Sequence, residues 1–178
     1  MTRSPFARQG AWLRCALHAH TIASDGELTP AALVAHYQRR RFDVLALTDH
    51  WVRSVPASSG SLVVIPSAEL DAVVPGSERR AHVLALGIRE APERPSGGFP
   101  TLQETVDWVN GNGGVAYLAH PYWSGLRSSD VLACEGLAGL EVYNAGCELD
   151  VGRGLASVHW DEVLEGGRSW HGLAVDDS

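Results

Sequence analysis

The amino-acid sequence predicts an α/β domain in which parallel strands form the core and helices cover the outside. Short apolar segments alternate with helical patterns along almost all of the 178 residues, and this order of elements is typical of parallel sheets. Histidines and carboxylates recur where the apolar segments end. In parallel α/β folds that edge of the sheet carries the functional site, so the second observation supports the first.

Seven segments have the length and apolar composition of strands. They are LRCALH (13–18), DVLALT (43–48), LVVIPSAE (62–69), AHVLALGI (81–88), GVAYLAH (114–120), LAGLEVYN (137–144) and HGLAV (171–175). Stretches rich in Gly, Pro and Ser are predicted loops, at 51–61, 89–100 and 121–130.

Three segments between the strands are predicted helices. The first opens with Thr29 as N-cap and Pro30 at the first helical position, and its last turn is rich in arginine. The second opens with the capping-box pair Thr101 and Glu104. The third covers 151–167, where apolar residues stand in helical register before a pair of glycines.

Composition limits the class of protein. The formal net charge of -7 argues against an extended nucleic-acid or membrane surface. The three cysteines lie far apart without a C-x-x-C pair, so neither a disulfide framework nor a thiolate zinc site is expected. Without an apolar run of signal-peptide or membrane-span length, we expect one cytoplasmic domain over 1–178 with residues 1–11 as an N-terminal tail. The oligomeric state stays open.

Histidines and carboxylates follow five of the seven predicted strands. They are His18 and His20 after the first, Asp49 and His50 after the second, Glu69 after the third, His120 after the fifth, and Asp176 and Asp177 after the seventh. His82 departs from the pattern, because it lies at the start of the fourth. A single residue of this kind is usually an ordinary surface, turn or salt-bridge residue, but independent surface residues do not gather at one edge. Together they favour a shared metal site.

The residue types suit a catalytic metal site. Neutral imidazole and carboxylate are ligands of Zn, Mn and Fe, and a carboxylate can bridge two ions. The alternation of His18 and His20 points both side chains to one face of a strand. Two ions ~3.5–4 Å apart can hold a bridging water and lower its pKa to ~7.

Five motifs resemble, in order, those of the PHP family, named for polymerase and histidinol phosphatase. They are LHAHTIASDGELTP, LALTDH, IPSAEL, YLAHP and GLAVDDS, and the resemblance covers about residue 12 to the last residue. LEVYNAG and GLAVDDS further resemble the CehA/McbA-type metallohydrolases.

The resemblance implies a distorted seven-stranded (β/α) barrel with two to three divalent ions, of Zn, Mn or Fe. The implied ligands are His18, His20, Glu69 and the closing aspartate for the first ion, Glu69, His82 and His120 for the second, and Asp25 and His50 for the third. Asp49 would orient the cluster. Glu141 and Asn144 either line the site or are ordinary rim residues, and Trp51, Tyr122 and Trp123 either wall it or pack in the core.

The closing motif departs from the family pattern. The family's D-x-H spacing selects Asp177, or Asp176 if the register is shifted by one, and puts the histidine at position 179, beyond Ser178. We expect either that the sequence is truncated or that one ligand of the third metal is missing.

The leading hypothesis is a phosphoesterase that uses a metal-bridging hydroxide on a small phosphorylated substrate. Asp25 or His50 would protonate the leaving group. Arg53, Arg89 and Arg127 lie in predicted loops, and Arg127 is the best candidate for a phosphate contact, although a solvated loop arginine is the open alternative. A carbamate, ester or amide hydrolase on the same metals is the second hypothesis. A non-catalytic metal-binding remnant is the third.

The incomplete closing motif yields a prediction about metal stoichiometry. The 178-residue chain is expected to bind two ions tightly and a third weakly, because the third set lacks one ligand. Elemental analysis after dialysis against a weak chelator measures this directly. Three ions that all resist dialysis would contradict the prediction.

Overall fold

One mixed sheet of seven strands, nearly closed into a barrel with helices around it, forms the fold. The computed structural model describes residues 9–56, 58 and 60–178, so most of the predicted tail and two positions of the predicted loop 51–61 lie outside the described residues. The strands are β1 Cys15–Ala16, β2 Val44–Leu47, β3 Val63–Val73, β4 Arg80–Leu86, β5 Val115–Ala119, β6 Gly139–Asn144 and β7 His171–Val175. The helices are α1 Pro30–Arg39, α2 Leu102–Gly111, α3 Ser128–Leu132, α4 Ala145–Val151 and α5 Ser157–Glu165.

The strands neighbour one another in chain order, from β1 to β7. Two backbone hydrogen bonds then connect the ends of this series. The N–H of His20 donates to the carbonyl of Ser178 (2.7 Å), and the N–H of Asp177 donates to the carbonyl of His18 (3.2 Å). These bonds place the segment after β1 beside the segment after β7.

The expectation of an all-parallel sheet is wrong at β4. This strand pairs antiparallel with both β3 and β5, whereas the other four pairings are parallel. The connection 74–79 between β3 and β4 is too short for a parallel crossover, which takes a dozen or more residues. The start of β4 therefore lies at the edge where the parallel strands end, and this brings His82 to the predicted functional edge.

Local sequence signals explain the two helices with clear N-caps. The Thr29 side chain accepts the N–H of Ala32 at the start of α1 (3.2 Å), where Pro30 holds the first helical position. At the start of α2, Thr101 and Glu104 form the complete capping box. Both predicted starts are confirmed.

The helices near the C-terminus are shorter and more numerous than predicted. The predicted helix 151–167 is only α5, because Gly152 ends the preceding α4 in a left-handed conformation (φ 67°). α3 and α4 were not predicted, since a helix of one or two turns shows no apolar periodicity. No helix in the described part of the chain is long and apolar enough to cross a membrane.

The interior of the barrel forms an apolar floor beneath the functional edge. Leu84 and Leu86 alternate with His82 along β4 and so share its face. They pack with Ala46 and Ala119 in a buried cluster. The largest core cluster lies elsewhere, where α2 and α5 pack against the sheet.

Loss of the α2 capping box should measurably destabilise the fold. Replacing Thr101 with Ala removes the hydroxyl that accepts the Glu104 N–H (3.3 Å) and donates to its carboxylate (2.8 Å). We expect the free energy of unfolding in urea, with chelator present, to fall by about 1 kcal/mol. Thr101→Ser keeps the hydroxyl and is the matched control. Equal stability of the Ala and Ser variants would refute the role of the cap.

Candidate metal centre

The Glu69 carboxylate is the centre of the cluster at the functional edge. It is 1% exposed, and its two oxygens face different imidazoles. Oε2 lies 3.2 Å from Nε2 of both His18 and His20. Oε1 lies 2.9 Å from Nδ1 of His82 and 3.1 Å from Nε2 of His120. One carboxylate thus joins two pairs of histidines that come from three different strands or strand ends.

Donor atoms of His18, His20 and Asp177 have the spacing of metal ligands. The Nε2 atoms of His18 and His20 are 3.1 Å apart, and Asp177 Oδ1 lies 3.1 Å and 3.2 Å from them. Ligands bound about 2.0 Å from a tetrahedral zinc ion lie about 3.3 Å from one another. These three atoms, or the two Nε2 atoms with Glu69 Oε2, therefore fit the ligand spacing of a divalent ion.

Each of the four imidazoles around Glu69 has one ring nitrogen near that carboxylate. Its other nitrogen, the far nitrogen, contacts an oxygen of a different residue. The Nδ1–H of His18 donates to Glu141 Oε1 at 2.6 Å, Nδ1 of His20 lies 3.2 Å from Ser24 Oγ, Nδ1 of His120 lies 3.2 Å from Ser124 Oγ, and Nε2 of His82 lies 3.4 Å from Asp71 Oδ1. A partner on the far nitrogen fixes the tautomer, so the lone pair of the near nitrogen faces the centre of the cluster.

Asp25 and His50 extend the cluster to its solvent side. Asp25 Oδ1 lies 3.2 Å from Nδ1 of His20, and its Oδ2 lies 3.5 Å from Nε2 of His50. The buried Nδ1 of His50 has no hydrogen-bond partner among the described residues, although Glu69 Oε2 is 3.5 Å away. Buried ring nitrogens are normally paired, so this unpaired atom also fits a metal ligand.

Asp49 supports the cluster from below without joining it. Its fully buried carboxylate accepts hydrogen bonds from the backbone N–H of Thr21 (2.7 Å) and from three hydroxyls, those of Thr21, Ser24 and Ser54. These bonds hold the segment between His20 and Asp25 in place. The orienting role of Asp49 stays a prediction, and these hydrogen bonds are the contacts through which it would act.

The carboxylates create a strong preference for positive charge. Burial lowers the pKa of His82, but contacts with Asp71 and Glu69 outweigh it and raise the pKa to about 10. Burial likewise opposes the charged form of His20, yet Asp177 and Glu69 raise its pKa to about 9. The pKa of the Glu69 carboxyl is held well below its usual range by the imidazoles, although burial acts to raise it. Protons and metal cations would compete for such a site.

Three residues near the cluster have positive φ angles, in the left-handed part of backbone conformational space. The φ angles are 58° at Trp51, 23° at His120 and 54° at Asp177. Non-glycine residues rarely adopt such angles, and they concentrate at functional sites. The sharp turns that follow β2, β5 and β7 therefore accompany the placement of the candidate ligands.

A cleft of about 260 Å³ opens onto the cluster. Its lining includes His20, Asp25, His50, Glu69, His82, His120, Trp123, Cys147, Asp150 and Asp177. Trp123 forms one wall, with its ring 4.9 Å from that of His120, so of its two alternatives the structure shows the wall position. Trp51 and Tyr122 are not among the residues that line this cleft.

The predicted arginine contacts lie elsewhere. Arg127 is exposed, and its backbone N–H caps α3 by donating to Asp130 Oδ2 (2.8 Å). Arg53 donates to the carbonyl of Ile88 (2.9 Å), and the Arg89 guanidinium lies against Gly113. None of the three is among the residues that line the cleft at the cluster. The sequence carries no signal for the direction in which a long side chain on a loop points.

Three contributions to the site have weak sequence signals or none. Glu141 is fully buried and accepts the N–H of His120 (2.8 Å) and the amide of Asn144 (2.9 Å) in addition to its bond with His18. Asp71 was missed, although it follows Glu69 at the two-residue spacing that keeps a strand residue on the same face. Arg94 lines a neighbouring cleft of about 590 Å³ together with Asp25, His50, Asp71 and His82.

Asp176 and Asp177 occupy different places. Asp177 contacts His18 and His20, and its other oxygen accepts the Asn144 amide (2.8 Å). Asp176 instead accepts the hydroxyl of Tyr37 (2.8 Å). The structure thus brings Asp177, the residue selected by the D-x-H spacing, to the cluster.

Solved structures of similar fold include an amidohydrolase and proteins named as metal-dependent phosphoesterases. An amidohydrolase from Chromobacterium violaceum, with bound sulfate and no metal, matches 92% of this chain and 87% of its own with TM-score 0.69 and 16% identity. A candidate metal-dependent phosphoesterase from Bifidobacterium adolescentis matches 95% and 88% with TM-score 0.67 and 17% identity. A two-domain protein from Bacteroides vulgatus with a predicted PHP-like metal-dependent phosphoesterase matches 93% and 51% with TM-score 0.63 and 16% identity. At such identities the likeness shows a PHP-like barrel fold.

Two curated relatives match part of the sequence. Both are 5′-3′ exoribonucleases named Rnm, 40% identical in Salmonella typhimurium and 39% in Escherichia coli over 80 residues. The match covers 40% of this chain and 27% of the length of each relative. No protein-family model matches the sequence.

The support given by Asp49 can be tested by removing one acceptor. Asp49→Asn places an amide N–H₂ among donors that now face two carboxylate oxygens. We expect the free energy of unfolding without metal to fall by about 1–3 kcal/mol, measured by urea denaturation in chelator. Asp161→Asn, on the exposed side of α5, is the control. If both variants are as stable as the parent chain, Asp49 does not hold the loop.

Proposed function

We propose that the chain is a metal-dependent hydrolase of the PHP type and that its substrate is a phosphoester. The division of the Glu69 carboxylate between two pairs of imidazoles supports this most directly, because a bridging carboxylate is suited to two adjacent ions. We assign His18, His20, Glu69 and Asp177 to a first ion, Glu69, His82 and His120 to a second, and Asp25 and His50 to a third. Zn, Mn and Fe suit these ligands.

Different residues of the cleft would take different parts in hydrolysis. Bound divalent ions would supply a hydroxide nucleophile near neutral pH and neutralise charge on the phosphoryl oxygens. The Glu69 bridge and its histidines would set where the reacting group lies. Asp25 or His50, which face each other across 3.5 Å on the solvent side, would give the proton to the leaving group.

Arg94 supports the phosphoester hypothesis, because it is a cation outside the metal cluster. It lines the neighbouring cleft beside Asp25 and His50, and a guanidinium matches the geometry of phosphate oxygens. The names of the similar proteins, phosphoesterases and exoribonucleases, point in the same direction. Because the net charge of -7 disfavours an extended nucleic-acid surface, we propose a small phosphorylated molecule or the end of a short RNA as substrate, in the cytoplasm.

A carbamate, ester or amide hydrolase is the second candidate. Among the described residues, none that lines the cleft of about 260 Å³ is an arginine or lysine, and the lining carries the extra acid Asp150. This disfavours a multiply charged anion at the innermost position. The similar amidohydrolase and the resemblance of LEVYNAG to the CehA/McbA branch agree with this alternative.

Activity should depend on the Glu69 bridge. The purified chain, loaded with Zn, Mn or Fe, is expected to hydrolyse a phosphomonoester, a phosphodiester or a 5′-phosphorylated short RNA, and chelation should abolish turnover. Glu69→Gln should reduce kcat by about 10²-fold or more, because the amide offers one oxygen in place of two. Glu165→Gln, exposed at the end of α5, is the matched control and should retain full activity.

The same assays separate the two candidates. Arg94→Gln should raise KM for phosphoesters by about tenfold, as expected for loss of one charged hydrogen bond, and leave an aryl carbamate unaffected. Hydrolysis of the carbamate alone, with every metal tested, would replace the phosphoester proposal by the alternative. Hydrolysis of neither by the metal-loaded chain would remove both.

A further inference from the structure

We propose that Asp71 is a positioning residue that holds His82 toward Glu69, and that Trp51 holds Asp71. The proposal rests on the assignment of His82 as a metal ligand under the proposed function. It concerns a positioning role that the motifs of the sequence assign to neither residue.

The β3–β4 hairpin places Asp71 beside His82. The two residues are direct partners in the antiparallel register, and Glu69 lies two positions earlier on β3, so all three side chains share one face. The hairpin therefore presents a bridging carboxylate, a histidine and a second carboxylate together.

His82 contacts a different carboxylate with each of its two ring nitrogens. Its Nδ1 lies 2.9 Å from Glu69 Oε1, and its Nε2 lies 3.4 Å from Asp71 Oδ1. Asp71 does not belong to the sets of donor atoms, among the described residues, that lie close enough together to hold an ion. Asp71 is thus placed to accept the Nε2–H of His82, which leaves the Nδ1 lone pair free for the metal.

Trp51 fixes the carboxylate of Asp71. The indole Nε1–H donates to Asp71 Oδ2 at 2.7 Å, so the two oxygens have different partners. The Trp51 ring is 8% exposed and stacks on Phe99 at 5.9 Å. Its backbone stands in the left-handed region directly after His50. A rigid indole therefore limits rotation of the carboxylate.

Glu141 and His18 show the same arrangement on the other side of the cluster. There a buried carboxylate accepts the Nδ1–H of His18, and Nε2 faces Glu69. Asp71 and Glu141 thus contact one histidine each, and those two histidines face different oxygens of Glu69. Loss of such a partner usually weakens metal affinity ~10–100-fold.

Metal affinity in a double-mutant cycle tests the proposal without substrate. Asp71→Asn, His82→Ala and the double variant are titrated with Zn against a chromophoric chelator. Asp71→Asn should weaken one ion by ~10–100-fold, because the amide can present N–H₂ to Nε2 and force the wrong tautomer. In the His82→Ala background the same change should have no further effect, since Asp71 acts through His82.

Two further variants separate positioning from general damage. Trp51→Phe keeps a ring but removes the N–H, and should weaken the same ion by a smaller factor. Asp107→Asn and Trp108→Phe, on α2, are the matched controls and should bind like the parent chain. Unfolding of each variant in chelator shows whether the fold is intact.

The outcomes are distinct. An unchanged affinity in a folded Asp71→Asn chain would overturn the proposal, and so would a full loss of affinity that persists in the His82→Ala background, which would make Asp71 a direct ligand. Binding with the expected cycle but no hydrolysis of any substrate would leave this inference standing while the proposed function fails.

Discussion

The burial of one carboxylate, Glu69, is the constraint on which the site depends. A buried charge is costly unless it is paired and fully hydrogen-bonded, and Glu69 is surrounded by imidazoles that come from separate parts of the chain. Those imidazoles are paired in turn by Glu141, Asp71 and the loop serines. Each layer needs the next, so the barrel edge is a connected polar network in which a cation can balance the central charge.

The reversal of β4 makes this network possible. If β4 ran parallel to its neighbours, the start of the strand and His82 would lie at the opposite edge of the sheet. The short β3–β4 connection forces the antiparallel pairing instead. Glu69, Asp71 and His82 are therefore brought together by local hairpin geometry, and His120 follows Ala119, the partner of His82 in the neighbouring strand β5. His18 and Asp177 meet through closure of the barrel. The ligand set thus combines contacts between neighbouring strands with contacts that need the closed barrel.

Much of the fold and of the site could be predicted from sequence, because short local patterns in the sequence indicate both. Apolar runs located seven strands, and the caps at Thr29 and Thr101 located two helices. The residues that now lie together at Glu69 were identified from strand ends and motifs. Strand direction was not recognised, although the length of the connection 74–79 carried it. The placements of Arg94 and Arg127 had no local signal, because they depend on how loops fold back over the barrel. Asp71 stood at a visible two-residue spacing from Glu69, but its role needs the cross-strand partner that only the structure supplies.

The left-handed residues connect the fold to the function. Each of Trp51, His120 and Asp177 occupies conformations that cost on the order of 1–3 kcal/mol, and each is held there by contacts of the network: the indole on Asp71, the backbone N–H of His120 on Glu141, and the carboxylate of Asp177 on Asn144. These hydrogen bonds are made by groups other than the atoms that face the centre of the cluster. These turns are therefore fixed by hydrogen bonds within the protein, and the same hydrogen bonds help to position the donor atoms. Contacts of this kind place part of the ordering cost of the site in the folding of the barrel.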